Sequence, residues 1–378
     1  MTFSAAELTR RRERAAARLE ALRLDALVVS LKEHLTWLTG LVFADLEQPA
    51  AGLLDAAGAL VVWLPAAATP LVEEQREQLA VDIEIVTVDR GDRVIDAVAG
   101  AVRAAGPRRV GYEGDWYALR WSERARLESA VPSATWVEAT AALTELRLVK
   151  SAEEIAVLRH AAALADAGMA AAVAAAGSGV REVDLAAAAQ QALAAAGSEY
   201  SSFPGLVGSG PRSGLYHPLA TTRRLAPGDA VEIEVTGAAR RYNSNVVRTI
   251  YVGEPSAEQR ARYEIVHEAF HAGVAAVEPG RPVGDVDAIT RRVRERYADF
   301  IPSRAGYGIE LSYPPFLTGA LSILVGAPHA FEPGMVFSLE PSIAGFRGET
   351  TILGCNVLVT EAGAEILHHH PRELVAVA

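Results

Sequence analysis

The amino-acid sequence predicts two domains, an α/β domain over residues 1–145 and an α+β domain over residues 146–378. A chain of 378 residues is longer than one ordinary domain, and half of its residues are apolar, which is enough for two cores. Helical and strand-like patterns alternate in the first part of the chain. In the second part, pairs of helices separate groups of strands.

The predicted N-terminal domain begins with a helix over residues 5–23, where apolar residues recur at helical spacing. Short apolar runs then predict strands, and amphipathic stretches between them predict helices. The strands are predicted at 25–30, 59–64, 83–88 and 109–112, and the further helices at 94–105 and 116–130.

The predicted C-terminal domain begins at a helix-capping box. Ser151 supplies the N-cap and Glu154 occupies the third helical position. We expect the helix to continue to about Ala176, because Gly177–Gly179 ends it. Its apolar run is too short to cross a membrane, so we expect a buried helix.

Turn residues and periodicity place the remaining elements. Strands are predicted at 229–236 and 246–252, joined by the turn-prone segment 241–245. Helices fit 182–196, 256–277 and 284–299, and the segment 306–360, rich in Gly, Pro and β-branched residues, predicts sheet and loops.

Charge and composition argue against several functions. The net charge of −11 and the pI of 5.4 disfavour binding to a nucleic-acid backbone, which requires clustered Lys and Arg. A single cysteine, Cys355, allows no disulfide within the chain. Neither a signal-peptide pattern nor an apolar run of membrane-spanning length is found. We therefore expect a cytoplasmic protein with a small-molecule substrate and no nucleic-acid or membrane partner.

Several motifs follow one another along nearly the whole chain. They are Leu35-Thr-Trp-Leu-Thr-Gly40, Leu146–Ile155, Pro227-Gly-Asp229, Arg248-Thr249, Glu332-Pro-Gly-Met335, Glu340-Pro341 and Val357-Leu-Val-Thr360. In this order they resemble the creatinase/prolidase/aminopeptidase P family. The resemblance implies a creatinase/prolidase-like N-terminal domain, a pita-bread catalytic-type C-terminal domain, and a homodimer.

The peptidases of this family bind two metal ions through two Asp, one His and two Glu. The resemblance places these five positions on Glu234, Asn245, Tyr307, Glu340 and Gly354. Only two carboxylates remain, because Asn and Tyr are weak ligands and Gly has no side chain. We therefore expect no dinuclear metal site and no cofactor; a single ion between Glu234 and Glu340 is the alternative.

Some branches of the family work without metal, among them creatinase and ectoine hydrolase. The segment Gly306–Pro315 resembles a run of the ectoine hydrolases that ends in Ser-Tyr-Pro-Pro, and Glu234-Val-Thr-Gly237 resembles the same branch. Glu310 departs from that run, where a small residue is expected. Glu340-Pro341 is more similar to creatinase and to the peptidases.

Three residues are predicted to be catalytic. His217 lies where the resemblance implies an active-site histidine, and a neutral imidazole can take a proton from water; the alternative is a surface histidine. Strand alternation puts Glu232 and Glu234 on one face. There Glu234, with Glu340, would hold a planar amidinium; the alternative is a solvated anionic face.

Five further residues are predicted to bind substrate. The hydroxyl of Tyr307 would stabilise the addition intermediate, or its ring would pack on the sheet. Asn245 would position the substrate or form the turn, and Arg212 would bind a carboxylate or be solvated. Tyr313 and Phe203 would form the walls of the pocket.

These residues predict a metal-independent hydrolase that cleaves a C–N bond in a small amidine or guanidine zwitterion, similar to ectoine or creatine. Two alternatives stand beside it: an Xaa-Pro metallopeptidase and a non-catalytic, peptidase-like binding protein. Two groups of histidines are left outside the site. His267 and His271 are four residues apart on a predicted helix, and His368–His370 are expected at a solvated edge.

Overall fold

The computed structural model describes residues 2–44, 46–47, 49–79, 83–114 and 117–378. The chain separates into two compact units, Met1–Arg147 and Leu148–Ala378. Each unit has its own sheet and its own buried apolar cluster. The predicted succession of an α/β and an α+β domain is confirmed by these two units.

The N-terminal unit alternates helices and short strands. In chain order these are α1 (Ala5–Ala21), β1 (Ala26–Val29), α2 (Lys32–Thr39), β2 (Ala51–Asp55), β3 (Leu60–Pro65), α3 (Thr69–Gln75), β4 (Glu84–Val88), α4 (Val94–Ala105), β5 (Arg109–Tyr112), α5 (Trp121–Ala130), β6 (Thr135–Glu138) and α6 (Ala141–Leu148). The first residue of the predicted helix 116–130 lies outside the described residues.

The strands of this unit form one six-stranded sheet in the order β4-β3-β2-β1-β5-β6. The central strands β1, β2 and β3 are antiparallel, whereas β4, β5 and β6 join in parallel pairs. Helices α4 and α5 pack on the sheet through Val98, Val102 and Leu127, which are fully buried. A mixed sheet with helices between its strands is the α/β arrangement expected from the sequence.

The C-terminal unit contains four long helices and a larger sheet. In chain order the elements are α7 (Ala152–Ala175), α8 (Glu182–Ala195), β7 (Leu206–Ser209), β8 (Ala230–Ala239), β9 (Tyr242–Val252), α9 (Ala257–Ala275), α10 (Val283–Val293), β10 (Gly306–Gly308), β11 (Ser322–Ile323), β12 (Val336–Leu339), β13 (Ser342–Phe346), β14 (Glu349–Thr360), β15 (Gly363–Ile366) and β16 (Val375–Val377).

Seven of these strands follow one another across the sheet in the order β11-β10-β12-β14-β9-β8-β7. Strands β13 and β15 pair with β14, and β16 pairs with β9. The long antiparallel hairpin of β8 and β9 lies beside β14, so segments distant in sequence become neighbours. This arrangement brings the functional residues together on one sheet.

Helix α7 begins as the capping box predicts. The Ser151 hydroxyl accepts from the Glu154 amide at 3.2 Å, and the Glu154 carboxylate accepts from the Ser151 amide at 2.8 Å. By length and composition alone α7 could span a membrane, but half of its most apolar window is buried inside the unit. Gly237 of β8 lies directly against Ala161 and Ala165 of α7. The expectation of a buried core helix is confirmed.

The turn between β8 and β9 differs from the prediction. The sequence placed a turn at 241–245, but the strands pair as far as Ala239 and Tyr242, and the turn is Arg240–Arg241. Both arginines have positive φ, 50° and 62°, which is the geometry of a two-residue type I′ hairpin. The Glu199 carboxylate accepts both of their amide hydrogens, at 2.8 and 3.0 Å. Arginine is not a residue that type I′ turns prefer, so this tertiary contact stabilises the turn in place of local preference.

The predicted helix 284–299 is divided. Helix α10 ends at Val293, and a 3₁₀ segment, Glu295–Phe300, follows. At the division the buried Arg294 side chain points inward and donates to the Ser342 carbonyl at 2.6 Å. Helix α10 therefore ends beside Arg294, whose buried charge requires a hydrogen-bond acceptor inside the unit.

Candidate functional site

A cavity of about 530 Å³ opens in the C-terminal unit. Its size is in the range of small-molecule sites. Its polar lining includes His217, Glu232, Glu234, Tyr307 and Glu340. Its apolar lining comes from Phe203, Pro315, Phe316 and Leu317.

Five neighbouring strands place the site residues on one face of the sheet. Across the sheet they are Tyr307 on β10, Glu340 directly after β12, Gly354 on β14, Asn245 on β9 and Glu234 on β8. Residues that pair directly share a face. Val247 of β9 pairs with both Glu234 and Gly354, so these positions lie in one row.

The side chain of Asn245 lies at the centre of this row. Its Nδ2 donates to Glu340 Oε1 at 2.7 Å, to Glu234 Oε1 at 3.0 Å and to the Tyr307 hydroxyl at 3.0 Å. Asn245 therefore lies within a strand and not in a turn, and it connects the two predicted carboxylates. Tyr307 in turn donates to Glu340 Oε1 at 2.9 Å.

Two of the three glutamates of the cavity are buried, with 8% exposure for Glu232 and 7% for Glu234, whereas Glu340 is partly exposed. Burial, together with the charge of Glu340, raises the pKa of Glu232 to about 8. The same two causes raise the pKa of Glu234 well above its usual range, against the hydrogen bond from Asn245. Burial and the nearby Glu340 also raise the pKa of Tyr307. The alternative of a solvated anionic face is wrong, because both side chains are buried, and burial favours the protonated form of these carboxyl groups.

His217 lies at the edge of the cavity with a left-handed backbone, φ 52°. Its ring stacks on Tyr216, with centroids 3.9 Å apart, and meets the edge of Phe203 at 5.1 Å. Desolvation lowers its pKa below the usual value of 6.5, so the imidazole is neutral at physiological pH.

Arg304 lines the cavity, and the sequence reasoning missed it. Its guanidinium carbon lies 5.0 Å from the ring centre of Tyr307, and it donates to Ser322 at 3.2 Å. Within the described part of the chain no carboxylate pairs with it. Its position three residues before Tyr307 is the feature of the sequence that could have identified Arg304 as a cavity residue.

The structure does not bring every predicted residue to the cavity. Phe203 lines it, but Tyr313 is fully buried and packs against the Arg241 guanidinium. Arg212 instead pairs with the buried carboxylate of Glu182, at 3.2 Å, and donates to the Leu219 carbonyl. Tyr313 and Arg212 therefore stabilise the fold around the site. Arg241 and Glu182 are buried charges, and a buried charge requires a partner.

A second layer of polar residues supports Asn245. Asn356 Nδ2 donates to Asn245 Oδ1 at 2.9 Å, and Asn356 Oδ1 accepts from the Ser244 hydroxyl. Ser244 also contacts His368, whose other ring nitrogen lies 2.8 Å from Asp166. His368 is 1% exposed, so the expected solvated edge is wrong for this histidine. Its burial depends on strand pairing between distant segments, which no local pattern reveals.

The residues present do not fit a two-metal centre. Within the described ranges, no three His, Cys, Asp or Glu side chains are grouped so as to hold a metal ion. A Cβ at Gly354 would lie 2.8 Å from Glu340 Cγ, so the position opposite Glu340 has no space for a ligand side chain. The centre of the row is occupied by the Asn245 amide, which donates hydrogen bonds and offers no charge.

Fold and cavity together define a pita-bread protein of the peptidase type. Residues 11–149 match the creatinase/prolidase N-terminal domain, and residues 156–365 match metallopeptidase family M24. The chain therefore belongs to metallopeptidase family M24.

Individual relatives agree with this assignment. The probable dipeptidase PepE of Mycobacterium tuberculosis is 32% identical over 394 residues, covering 99% of this chain and 98% of that protein. The Xaa-Pro dipeptidase of Pyrococcus furiosus is 34% identical over 243 residues, 62% of this chain and 66% of that protein. The structure of an Xaa-Pro dipeptidase from Bacillus anthracis is 26% identical, with a TM-score of 0.88 over 98% of this chain and all of that one.

These matches support a hydrolase and correct the predicted reaction. The expected metal-independent hydrolase of an amidine or guanidine is wrong, since the relatives are named as dipeptidases. The motif that suggested ectoine hydrolase is largely part of the core. Ile309, Leu311 and Tyr313 are at most 1% exposed, so these three residues contribute packing, whereas Tyr307 and Pro315 at the ends of the segment line the cavity.

Proposed function

We propose that the C-terminal unit binds and hydrolyses a short peptide of the Xaa-Pro dipeptide type. The observation that carries this proposal is the charge pattern of the cavity. Arg304 offers a guanidinium that no carboxylate of the described residues pairs with, and Glu232, Glu234 and Glu340 offer carboxyl groups on the same cavity wall. A dipeptide has a carboxylate at one end, which suits the guanidinium, and an ammonium at the other, which can donate hydrogen bonds to the carboxyl oxygens.

In this proposal Arg304 binds the carboxylate of the peptide. The apolar side chains Phe203, Pro315 and Phe316 receive a proline ring. His217 takes a proton from water as its oxygen bonds to the carbonyl carbon. Glu234, whose raised pKa favours its protonated form, gives its proton to the amide nitrogen as the C–N bond breaks. The proton on His217 then restores Glu234.

The test is release of proline from Ala-Pro, with Ala-Ala as the comparison peptide, in the presence and absence of Mn²⁺. His217→Asn retains a residue that tolerates the left-handed backbone. We expect it to lower kcat by about 100-fold with little change in KM. Because the pKa of His217 lies below 6.5, the wild-type rate should fall on the acid side of that value, and the variant should lose this dependence.

Arg304→Leu tests the carboxylate contact. We expect KM for Ala-Pro to rise about 30-fold or more, because a charged partner in the cavity is lost. The amide of the dipeptide, Ala-Pro-NH₂, should bind wild type and Arg304→Leu equally. The matched control is Arg296→Leu, at an exposed arginine outside the cavity lining.

A second candidate is a peptide-binding protein without turnover. The mismatch with the two-metal ligand set favours it, since this family is one of metallopeptidases. Calorimetry with Ala-Pro separates the candidates. Binding with proline release supports hydrolysis, binding without release supports the second candidate, and absence of binding contradicts both.

The quaternary state and the location belong to the same proposal. A homodimer in the cytoplasm agrees with the family resemblance and with the lone cysteine, Cys355. Light scattering of the purified protein measures its oligomeric state.

A further inference from the structure

The Asn245 amide has a fixed orientation in the site. Its Oδ1 accepts from Asn356 Nδ2 at 2.9 Å, so its Nδ2 must face the other way, toward Glu234 and Glu340. Asn356 is itself held, since its Oδ1 accepts from the Asn245 backbone amide at 3.1 Å and from Ser244. The amide therefore cannot turn to offer its oxygen to a cation beside the glutamates.

Glu340 is fully engaged on one oxygen. Its Oε1 accepts from Asn245 at 2.7 Å, from Tyr307 at 2.9 Å and from Ser338 at 2.6 Å. These neutral donors satisfy the oxygen that a bridging metal ion would otherwise contact. A cation would have to displace all three.

Charge balance leads to the same conclusion. Two divalent ions bring four positive charges, and four carboxylates would balance them. This row supplies two, Glu234 and Glu340, and Glu232 on the same face of β8 adds a third carboxyl group to the cavity, which is still one too few. Asn245 and Tyr307 are neutral, and Gly354 has no side chain. Unbalanced charge in a buried site is costly, so the two metal ions would not be retained.

We propose that the amide of Asn245 takes the place of a metal ion, joining Glu234 and Glu340 through neutral hydrogen bonds, so that this member of the M24 family has no dinuclear metal centre. The inference concerns the same site as the proposed function and holds whichever peptide the cavity accepts.

The experiment is a count of bound Mn²⁺ by mass spectrometry after incubation and desalting of the full-length protein. Mn²⁺ is chosen because it prefers carboxylate ligands. The exposed side of α9 carries His267 and His271, with Nε2 atoms 3.2 Å apart, which would retain softer ions such as Ni²⁺ or Zn²⁺ and obscure the count. We expect less than about 0.1 Mn²⁺ per wild-type chain.

The complementary variant is Asn245→Asp with Tyr307→His, which supplies a third carboxylate and an imidazole. We expect it to gain about one Mn²⁺ per chain, because a hard ion then has three carboxylates and an imidazole. Asn243→Asp, at a buried asparagine two residues earlier on β9, is the matched control and should gain none. Circular dichroism confirms that each variant is folded.

One or two Mn²⁺ per wild-type chain would overturn the inference. So would a folded double variant that gains no more Mn²⁺ than Asn243→Asp, since Asn245 would then not be what excludes the ion. The count requires no substrate. A failure to bind or cleave Ala-Pro therefore leaves this result intact and contradicts only the proposed function.

Discussion

Glu232 and Glu234 project from one face of β8 into the cavity, although both are nearly removed from water. An ionised carboxylate in such a place is costly, and the charge of Glu340 increases the cost. Proteins retain buried acids of this kind mostly where a proton is to be moved or a ligand bound. The pair therefore costs stability, which is consistent with the proposed role of these acids in the site.

Replacing Glu232 by Gln should stabilise the protein, increasingly so as pH rises. The folded pKa of about 8 exceeds the unfolded value of 4.5, so between these values the native state keeps a proton that the unfolded chain has released. Wild-type stability thus falls as pH rises through this window. We expect a gain for Glu232→Gln below about 1 kcal/mol at about pH 5 and of about 3 kcal/mol at about pH 7.

Urea unfolding across this pH range measures the effect. Glu264→Gln, the same change at an exposed position of α9, is the control and should leave the pH dependence unchanged. A constant difference between Glu232→Gln and wild type at all pH values would show that the folded pKa is not raised.

At the residue scale, sequence reasoning succeeded where a local pattern fixes the side chain. Strand alternation put Glu232 and Glu234 on one face, and both line the cavity. Arg212 and Arg304 could not be distinguished in this way, because both are loop arginines. Packing between distant segments places Arg212 against the Glu182 carboxylate and Arg304 in the cavity wall.

At the scale of elements, the contact between α7 and β8 determines how the hairpin of the site lies. Gly237 has no side chain, and this allows the helix backbone at Ala161 and Ala165 to approach the strand closely. Met169 and Leu164 of α7 complete the buried surface on either side. The helix is thus fixed to the strand that carries the two acids.

Gly237→Ala should destabilise the C-terminal unit by about 2–4 kcal/mol. The added Cβ would collide with backbone atoms of α7, which cannot move aside as a flexible side chain would. Thermal unfolding measures the loss. The control is Gly100→Ala in α4, where a Cβ meets nothing within 4 Å and should stabilise the helix by about 0.5–1 kcal/mol. Equal effects of the two substitutions would contradict the close approach.

Most elements were predictable because their signals are local. The capping box at Ser151 and the apolar runs of β1 and β5 fall where the sequence placed them. The hairpin turn was not predictable, since the left-handed Arg240 and Arg241 are held by tertiary contacts such as that with Glu199, some forty residues earlier. Local preference and tertiary contact disagree there, and the contact determines the structure.

At the scale of the whole molecule, each unit has a separate apolar core. Leu127 and Val98 belong to that of the N-terminal unit, and Val235 and Phe270 to those of the C-terminal unit. Proteins with several cores commonly depart from two-state unfolding. The two units should therefore respond separately to substitutions in their cores.

We expect scanning calorimetry to resolve two transitions. Leu127→Ala, which removes a fully buried side chain, should lower the stability of the N-terminal unit by about 2–5 kcal/mol and leave the other transition in place. Gly237→Ala should lower the stability of the C-terminal unit and leave the transition of the N-terminal unit in place. A single transition that both substitutions shift would show that the units unfold together.

The family assignment and the site residues answer different questions at this scale. Matches over both units establish the fold, whereas the row from Glu234 to Tyr307 determines what chemistry is available. The sequence resemblance identified the family from ordered motifs, many of which are core or turn residues. It named the wrong substrate class because core residues conserve a shape and not a ligand.

The row of site residues crosses five strands, so it can form only when segments distant in the sequence are all present. Asn245 lies 95 residues before Glu340 and 111 before Asn356. Contacts of such long separation form late, because much chain must lose its freedom before they are made. A nascent chain thus acquires its cavity only after β14 has left the ribosome. A ligand of the cavity therefore cannot assist the earlier steps, but it stabilises the finished unit by a free energy that grows with the logarithm of the ligand concentration.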